Sequence, residues 1–439
     1  MKLTGDGKKG VFPFALGQAS IQLSFVVIGQ LTYALTSSAG MAAGTVGLLL
    51  MCSKILDGIT DLIAGYIIDR TNLKLGKARP FDLMAVPLWL LVILCFTVPK
   101  FNMVGKIIWV LLTFNLCQSV SYTFCSVSSP VRAKRSFDKD HRAKALAAAG
   151  IVSAVLATIV SIVLPLLIKQ FEAQPHGWTI ISAIFAIPCM IMSLLMFFCV
   201  PEMSPEGIEE EKEEKISFAK SAKYFFQNKY ALILVVMLMV AALANIICGT
   251  AATYYFKYFI GDLSLQSLVG LVSIISYVFL LFLPALEKRS SHKTICMIAF
   301  GLILVGGAGR YIDGKNMLVL IVFGILFSIG ITVMMTTKSL ALMDCMAYGK
   351  AKFGMESEGV YSAINGFADK IANGLGALLV GVILEIGHWD GALAVQPESA
   401  LNAIQFMYAG VPALMGLIGL VATSRFNAEK ELKAEAAHE

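Results

Sequence analysis

Long apolar runs separated by short polar connections follow one another along the whole chain. About twelve of these runs hold close to 20 residues or more, enough for an α-helix to cross a hydrocarbon core of about 30 Å. They are continuously apolar, whereas the strands of a membrane barrel alternate, so helices are predicted. The predicted spans are 11–37, 43–69, 81–99, 106–130, 143–169, 178–200, 228–258, 264–286, 293–312, 316–345, 358–386 and 401–424.

Composition supports this interpretation. Hydrophobic residues make up 57% of the 439 positions and charged residues only 15%, against roughly 25% charged residues in soluble domains. The sequence therefore predicts an all-α, multi-pass membrane protein. Its nine cysteines are scattered singly and its five histidines fall in connections or at the tail, so the sequence predicts neither a disulfide framework nor a structural metal site.

The basic residues are concentrated in alternate connections between the predicted spans. Connections rich in Lys and Arg face the cytoplasm, so both termini are expected on the cytoplasmic side of a bacterial inner membrane. Topology accounts for these basic runs, and no nucleic-acid partner is expected. They are Arg70, Lys74, Lys77, Arg79; Arg132, Lys134, Arg135, Lys139, Arg142, Lys144; Lys212, Lys215, Lys220, Lys223; Lys288, Arg289, Lys293; and Lys350, Lys352.

The longest polar segment lies between the sixth and seventh spans. It predicts an N-terminal six-helix half (1–200), a cytoplasmic linker (201–227), a C-terminal six-helix half (228–425) and a cytoplasmic tail (426–439). Two six-helix halves joined in this way are typical of the major facilitator fold, whose substrate site lies near the membrane midplane between the halves.

Three charged residues, Lys54, Asp57 and Asp61, lie inside the second predicted span. Asp57 and Asp61 are four residues apart, so a helix places their Cβ atoms on one face about 5–6 Å apart. A charge deep in the membrane costs at least about 2.5–3.5 kcal/mol, which makes this pair a functional hypothesis. Neighbouring carboxylates repel each other and favour a proton or a metal cation between them. The alternative is that Lys54 neutralises one carboxylate as a structural ion pair, which leaves the other in need of a cation.

The C-terminal half carries Lys338 and Asp344 in span ten and the adjacent Asp369 and Lys370 in span eleven. Adjacent residues point about 100° apart on a helix, so Asp369 and Lys370 cannot line one narrow site equally. Lys370 either holds a substrate oxygen or pairs with a facing acid, and Lys338 has the same choice. Neutral polar residues in the spans suit either hydroxyl recognition or hydrogen bonding between helices. They include Gln18, Gln22, Asn115, Gln118, Thr123, Asn245 and Asn365.

The second span and the loop after it carry a recognisable pattern. The stretch DGITDLIAGYIIDRT (57–71), followed by GKARP (76–80), resembles the signature of the glycoside-pentoside-hexuronide:cation symporters, the branch of the major facilitator superfamily that includes melibiose permease and glucuronide permease. Weaker agreement at 121–124, 138–142, 344–349 and 358–362 extends the resemblance over most of the chain.

The resemblance implies that Asp57 and Asp61 are cation ligands, with the hydroxyl of Thr123 as a further ligand and Thr60 as an additional oxygen. It also implies that Lys370 lies between the cation site and the sugar path. The sequence departs from melibiose permease where that protein uses charged residues for galactosides, and Ser126 occupies one such position. With Lys54 and Lys370 present, the pocket is more electropositive than in melibiose permease, which favours either a hexuronide or glucuronide or a bulkier, less polar substrate.

We therefore expect no enzyme but a monomeric transporter that imports a glycoside, hexuronide or related sugar with Na⁺ or H⁺ by alternating access. The alternatives are a carrier or exporter of an amphipathic molecule, such as a lysolipid or a drug-like compound, and a sensor that does not transport. The only expected partners are the sugar and membrane lipids; no cofactor is expected beyond the coupling ion, and no metal other than Na⁺ at the aspartate pair. The substrate-binding candidates are Lys370, Lys54, Gln18, Gln22, Ser126, Asn245, Lys338 and Asn365. The cytoplasmic gating candidates are Asp69, Arg70, Gly76, Lys77, Arg79 and Arg142.

Overall fold

A computed structural model describes residues 7–71, 73, 75–202, 225–353 and 358–436. Most of the predicted linker, residues 203–224, lies outside the described residues, as does the side chain of the gating candidate Asp69. Two compact units divide the chain: Met1–Glu211 with Asp390–Ala392, and Lys212–Trp389 with Leu393–Glu439. The regular elements in the described part of both units are helices, which fits continuously apolar runs.

The described part of the first unit contains nine α-helices and one π-helical segment, Leu116–Tyr122, which joins the sixth helix to the seventh without a break. The helices are α1 Gly7–Ile28, α2 Leu31–Ser37, α3 Ala43–Arg70, α4 Arg79–Asp82, α5 Ala85–Phe96, α6 Met103–Asn115, α7 Thr123–Ser136, α8 Lys139–Phe171 and α9 Gly177–Cys199.

The described part of the second unit likewise contains nine α-helices. They are α10 Lys229–Tyr254, α11 Gln266–Phe279, α12 Leu283–Glu287, α13 His292–Ile312, α14 Met317–Phe353, α15 Glu358–Ile386, α16 Glu398–Gln405, α17 Val411–Ser424 and α18 Ala428–Ala436. Two π segments and two 3₁₀ segments connect some of them: Tyr255–Ile260, Phe406–Gly410, Leu263–Leu265 and Leu280–Phe282.

Polar caps set the start of several long helices. The side chains of Asn102, Asp138, Asn228 and Ser291 accept hydrogen bonds from backbone N–H groups in the first turns of α6, α8, α10 and α13. Such a cap stabilises a helix by about 1 kcal/mol because it satisfies an otherwise unpaired donor. The polar connections therefore fix where each apolar helix begins.

Within the described residues, nine helical stretches are long and apolar enough to cross a membrane: Gly10–Ser37, Arg79–Phe96, Met103–Ser136, His141–Phe171, Gly177–Cys199, Lys229–Ile260, His292–Ile312, Met317–Lys352 and Glu398–Leu432. The predicted spans 43–69, 264–286 and 358–386 are not among them. The first and last of these form α3 and α15, and the middle one is divided between α11, the 3₁₀ turn Leu280–Phe282 and α12. The nine stretches come only from the described residues of each segment. The count of twelve therefore stays a prediction.

Small residues allow close packing inside the second unit. An added Cβ at Gly307 would lie 2.5 Å from the backbone nitrogen of Ala413, and one at Gly416 would lie 2.5 Å from that of Leu304. Side chains at these two positions would push α13 and α17 apart. Such small-residue contacts are a common way for membrane helices to associate.

Candidate cation site and substrate-facing residues

Lys54 and Asp57 form an ion pair on α3. The Nζ atom of Lys54 lies 3.0 Å from Oδ2 of Asp57, one turn away, and the two side chains are only 12% and 5% exposed. Lys54 also donates a hydrogen bond of 3.4 Å to Oε1 of the buried Gln118. The ion pair that the sequence offers as an alternative is therefore present, and it neutralises one of the two aspartates.

Aromatic rings surround the Lys54 ammonium group. Its Nζ atom lies 5.5 Å from the ring centroid of Phe25 on α1 and 5.7 Å from that of Phe114 on α6. Both distances are within the range of cation–π attraction. The two charged side chains are largely buried, so the attraction between Lys54 and Asp57 is stronger here than at a solvated surface.

Asp61 is joined to the neighbouring helix by Thr123. The Thr123 hydroxyl lies 3.0 Å from Oδ1 of Asp61 and 3.3 Å from the backbone oxygen of Gln118. That oxygen lies in the π segment Leu116–Tyr122. A π segment alters the usual backbone hydrogen-bond pattern and often marks a functional site. The π segment Leu116–Tyr122 thus directly precedes Thr123 and places its hydroxyl against Asp61.

Three polar contacts link α3 to the π-containing helix in the same order along both. Asn115 donates to the Ser53 hydroxyl at 3.1 Å, Lys54 donates to Gln118, and Thr123 donates to Asp61. The two helices therefore run in the same direction, as expected for two even-numbered spans. This row brings carboxylate, amide and hydroxyl oxygens together in the first unit.

The predicted ligand Thr60 has a different environment. Its hydroxyl lies 3.1 Å and 3.3 Å from the backbone oxygens of Asp57 and Leu56 on its own helix. The structure thus brings Asp61 into direct contact with Thr123 of another helix, whereas the Thr60 hydroxyl, within the described residues, hydrogen-bonds only to backbone oxygens of α3. Carboxylate and hydroxyl oxygens are the ligands preferred by hard cations, and a carboxylate can equally take a proton.

Substrate candidates in the first unit lie on α1 and α7. The Gln18 side-chain oxygen accepts a 2.6 Å hydrogen bond from Ser129, and its nitrogen lies 3.8 Å from the sulfur of Met196. Gln22, one turn further along α1, is exposed, and Ser126 on α7 is half-buried. Gln18 is therefore held in place by its neighbours, while Gln22 presents its amide to the surroundings.

In the second unit, Lys338 of α14 pairs with Asp369 of α15 at 2.7 Å, and the two side chains are 29% and 35% exposed. Asp344, the acid that follows Lys338 on its own helix, instead lies beside His292. Lys370 is half-buried and Asn245 is exposed. The amide of Asn365 is buried, and within the described residues neither its nitrogen nor its oxygen has a hydrogen-bond partner.

The loop after α3 wraps around a carboxylate. The backbone N–H groups of Lys77, Ala78 and Arg79 all donate to the side chain of Glu202, which follows α9. Gly76 has a φ of 119°, and an added Cβ there would lie 1.9 Å from an oxygen of Glu202. Glycine is thus required at this position both by the backbone conformation and by the space available.

Three arginine gating candidates have distinct surroundings. The Arg79 Nε donates to the Phe197 carbonyl at 3.0 Å. The Arg70 guanidinium lies 4.2 Å from the ring centroid of Tyr66, and Arg142 is half-buried in the first turn of α8. Of these contacts, that of Arg79 links the loop after α3 to α9, and that of Arg70 lies within α3.

Two buried arginines were not singled out by the sequence. Arg132 lies 2.8 Å from Asp82, and the two side chains are 0% and 3% exposed. The guanidinium of Arg310, also buried, lies between the rings of Phe327 and Tyr408, at 4.4 Å and 4.8 Å. Arg132 follows span four, in a connection predicted to be cytoplasmic, where topology accounts for a basic residue. Arg310 lies inside predicted span nine, towards its opposite end, where the positive-inside rule does not account for it, so its place in an apolar run was a signal that the sequence did carry.

The sequence model of the family described as MFS/sugar transport protein matches residues 13–430. An isoprimeverose transporter of Lactiplantibacillus pentosus is 26% identical over 419 residues, which cover 91% of this chain and 85% of that protein. A putative glycoside/cation symporter of Escherichia coli, YagG, is 26% identical over 400 residues, which cover 88% of this chain and 84% of that protein. The solved structure of the nucleoside transporter NupG aligns with a TM-score of 0.66 at 13% identity, over 95% of this chain and 99% of that one. This similarity shows a shared fold.

Proposed function

Because the chain belongs to the MFS/sugar transport protein family, we propose that it is a secondary active transporter that couples uptake of a glycoside or hexuronide to Na⁺ or H⁺. Membership of a transporter family agrees with the expectation that the chain is not an enzyme. The relatives named as an isoprimeverose transporter and a glycoside/cation symporter support a sugar substrate and a coupling cation. We further propose that the protein is a monomer in a bacterial inner membrane, with both termini in the cytoplasm.

The contacts of Asp57 and Asp61 are the observation that carries the proposal. Two carboxylates lie one turn apart on α3, one bound to Lys54 and the other to the Thr123 hydroxyl. We assign the coupling cation to Asp57, Asp61 and Thr123, with Thr60 as a further oxygen ligand. In this assignment the cation and the Lys54 ammonium compete for Asp57.

The proposed substrate contacts are polar groups of both units. Gln18, Gln22, Ser126, Asn245 and Asn365 supply amides and a hydroxyl suited to sugar hydroxyls. The buried amide of Asn365 favours this role, because an unsatisfied buried amide costs about 1–3 kcal/mol that a ligand hydroxyl would recover.

Lys370 and Lys338 provide positive charge for a hexuronide carboxylate. A substrate carboxylate would draw Lys338 away from Asp369, whose ion pair is partly exposed. The loop residues Asp69, Arg70, Gly76, Lys77, Arg79 and Arg142 are proposed to gate the cytoplasmic side during alternating access.

Uptake into proteoliposomes tests the function. The purified protein is reconstituted, and accumulation of labelled pentosides, glycosides and glucuronides is measured with an inward Na⁺ gradient, with an inward proton gradient and with neither. We expect one substrate class to accumulate only when one of these gradients is imposed. Asp57→Asn should abolish gradient-driven accumulation while leaving the protein folded.

Asp262→Asn is the matched control, since Asp262 caps the short 3₁₀ segment Leu263–Leu265 and asparagine caps equally well. If Asp57→Asn concentrates substrate against a gradient as well as the unmodified protein, the cation assignment is wrong. Binding without accumulation would indicate a sensor, and outward movement would indicate an exporter.

A further inference from the structure

Three side chains of the types that bind metals converge at one end of the second unit. His292 is the first residue of α13, Asp344 lies in α14 and Glu429 lies in the first turn of α18. His292 is 52 residues from Asp344 and 137 residues from Glu429 along the chain. Even so, one potential ligand atom from each lies within 4.8 Å of the other two.

The contacts within this cluster are short. Nδ1 of His292 lies 2.7 Å from Oδ2 of Asp344, and the backbone N–H of His292 donates to Oε2 of Glu429 at 3.2 Å. The His292 and Asp344 side chains are 25% and 14% exposed. The three groups are therefore positioned by the fold and remain accessible to an ion from solution.

Neighbouring contacts hold α18 against α13 and α10. Lys293 donates to the backbone oxygen of Ser424 and, at 2.8 Å, to the side-chain oxygen of Asn427, immediately before α18. Glu431 on α18 accepts hydrogen bonds from Lys229 and Tyr230 of α10. A ligand set held by packed helices loses little freedom when an ion binds.

We propose that His292, Asp344 and Glu429 form a binding site for one divalent transition-metal cation, best matched by Zn²⁺. Zn²⁺ binds both imidazole nitrogen and carboxylate oxygen, the two ligand types present here, whereas Ca²⁺ and Mg²⁺ prefer oxygen ligands alone. Metal–ligand distances of about 2.0–2.2 Å require ligand atoms about 3.4 Å apart in a tetrahedral site. The three ligand atoms now lie within 4.8 Å of one another, and the long, half-buried Glu429 side chain can move its carboxylate to the required distance. Water can fill the fourth position.

The bound cation would join α18, the C-terminal helix, to α13 and α14. The metal must bind a neutral imidazole, so any proton on the coordinating nitrogen is released to water as the metal–nitrogen bond forms. None of the three ligands belongs to the proposed coupling-ion or substrate sites. Zn²⁺ binding at this site is therefore independent of the proposed transport activity.

Metal titration of the full-length protein tests the site. The protein is purified in detergent without a polyhistidine tag, and the two exposed cysteines, Cys52 and Cys199, are changed to serine so that their thiols do not compete. Zn²⁺ is then titrated against a chromophoric indicator. We expect one saturable equivalent, with the affinity at least about tenfold lower in His292→Gln, Asp344→Asn and Glu429→Gln.

His141→Gln is the control, because His141 lies 2.8 Å from Asp138 at an exposed site in the other unit. This variant should bind Zn²⁺ like the parent. Absence of a saturable equivalent, or an unchanged affinity in His292→Gln, overturns the proposal. If His292→Gln fails to elute as a folded monodisperse protein, Glu429→Gln provides the same comparison with a smaller change.

A spin label supplies a second readout. A label attached through Lys430→Cys, at an exposed position of α18, should lose mobility when Zn²⁺ is added to the parent. The loss should be absent in the Glu429→Gln background. Equal immobilisation in both backgrounds would show that the cation does not use Glu429, and the three-ligand site would be rejected.

Discussion

The ion pair between Lys54 and Asp57 gives the sharpest prediction about coupling. Lys54→Met keeps the length and apolar character of the side chain between Phe25 and Phe114 and removes its charge. On the proposed assignment, Lys54 competes with the coupling cation for Asp57. The substitution should therefore raise the affinity of the site for that cation.

The geometry sets the size of this effect. Two unit charges 3.0 Å apart attract each other by about 5.5 kcal/mol at an effective dielectric constant of about 20. Desolvation of the buried ammonium group offsets part of this attraction. A remaining difference of about 1.4–2.8 kcal/mol corresponds to a ten- to hundredfold change in affinity.

The assay is substrate uptake into proteoliposomes as a function of coupling-ion concentration. In Lys54→Met the half-saturating cation concentration should fall at least about tenfold. Lys106→Met is the control, because Lys106 donates to a carbonyl, that of Ala39, at 2.6 Å and not to a carboxylate. The reasoning is refuted if a folded Lys54→Met protein shows an unchanged or increased half-saturating concentration while Lys106→Met behaves normally.

Three further substitutions probe one contact at this site and two others in the first unit. Thr123→Val removes the hydroxyl that donates to Asp61 and should raise the half-saturating concentration of the coupling cation at least about tenfold, since a hydrogen bond to a charged group contributes about 1.5–3 kcal/mol. Thr123→Ser should restore the lower value. Arg132→Met leaves Asp82 buried without its partner and should lower the stability by about 3–5 kcal/mol, seen as a lower midpoint in thermal unfolding in detergent, with replacement of both residues less harmful. Gly76→Ala should lower uptake and the thermal midpoint, because its φ of 119° and its tight contact with a carboxylate both oppose a side chain.

Local sequence spacing predicts much of the first unit. Continuous apolar runs give the helices, and the four-residue spacing of Asp57 and Asp61 places both on one face of α3. The contact between Lys54 and Asp57 is equally local, because three residues are close to one helical turn. These features follow from the sequence because they need no knowledge of which helices are neighbours.

Contacts between distant segments could not be derived in this way. The Glu202 carboxylate meets the loop at residues 77–79 across more than 120 positions, and charge patterning alone does not select it. Arg132 counts as one more cytoplasmic basic residue until packing buries it against Asp82. His292 looks like an isolated connection residue until α14 and α18 bring acids to it. In each case helix packing supplies the partner.

The charges of the candidate site also explain why it contains three ionisable residues and not two. Asp57 and Asp61 alone would carry two negative charges in an apolar environment, and a single monovalent cation would leave one of them uncompensated. Lys54, 3.0 Å from Asp57, offsets one of these charges when no cation is bound, so the three residues of the proposed site together carry one net negative charge. One Na⁺ or one proton then suffices to neutralise it, which lowers the cost of moving the site through an apolar environment. The arrangement thus links neutrality of the site to occupancy by a single ion, as coupling in a symporter requires.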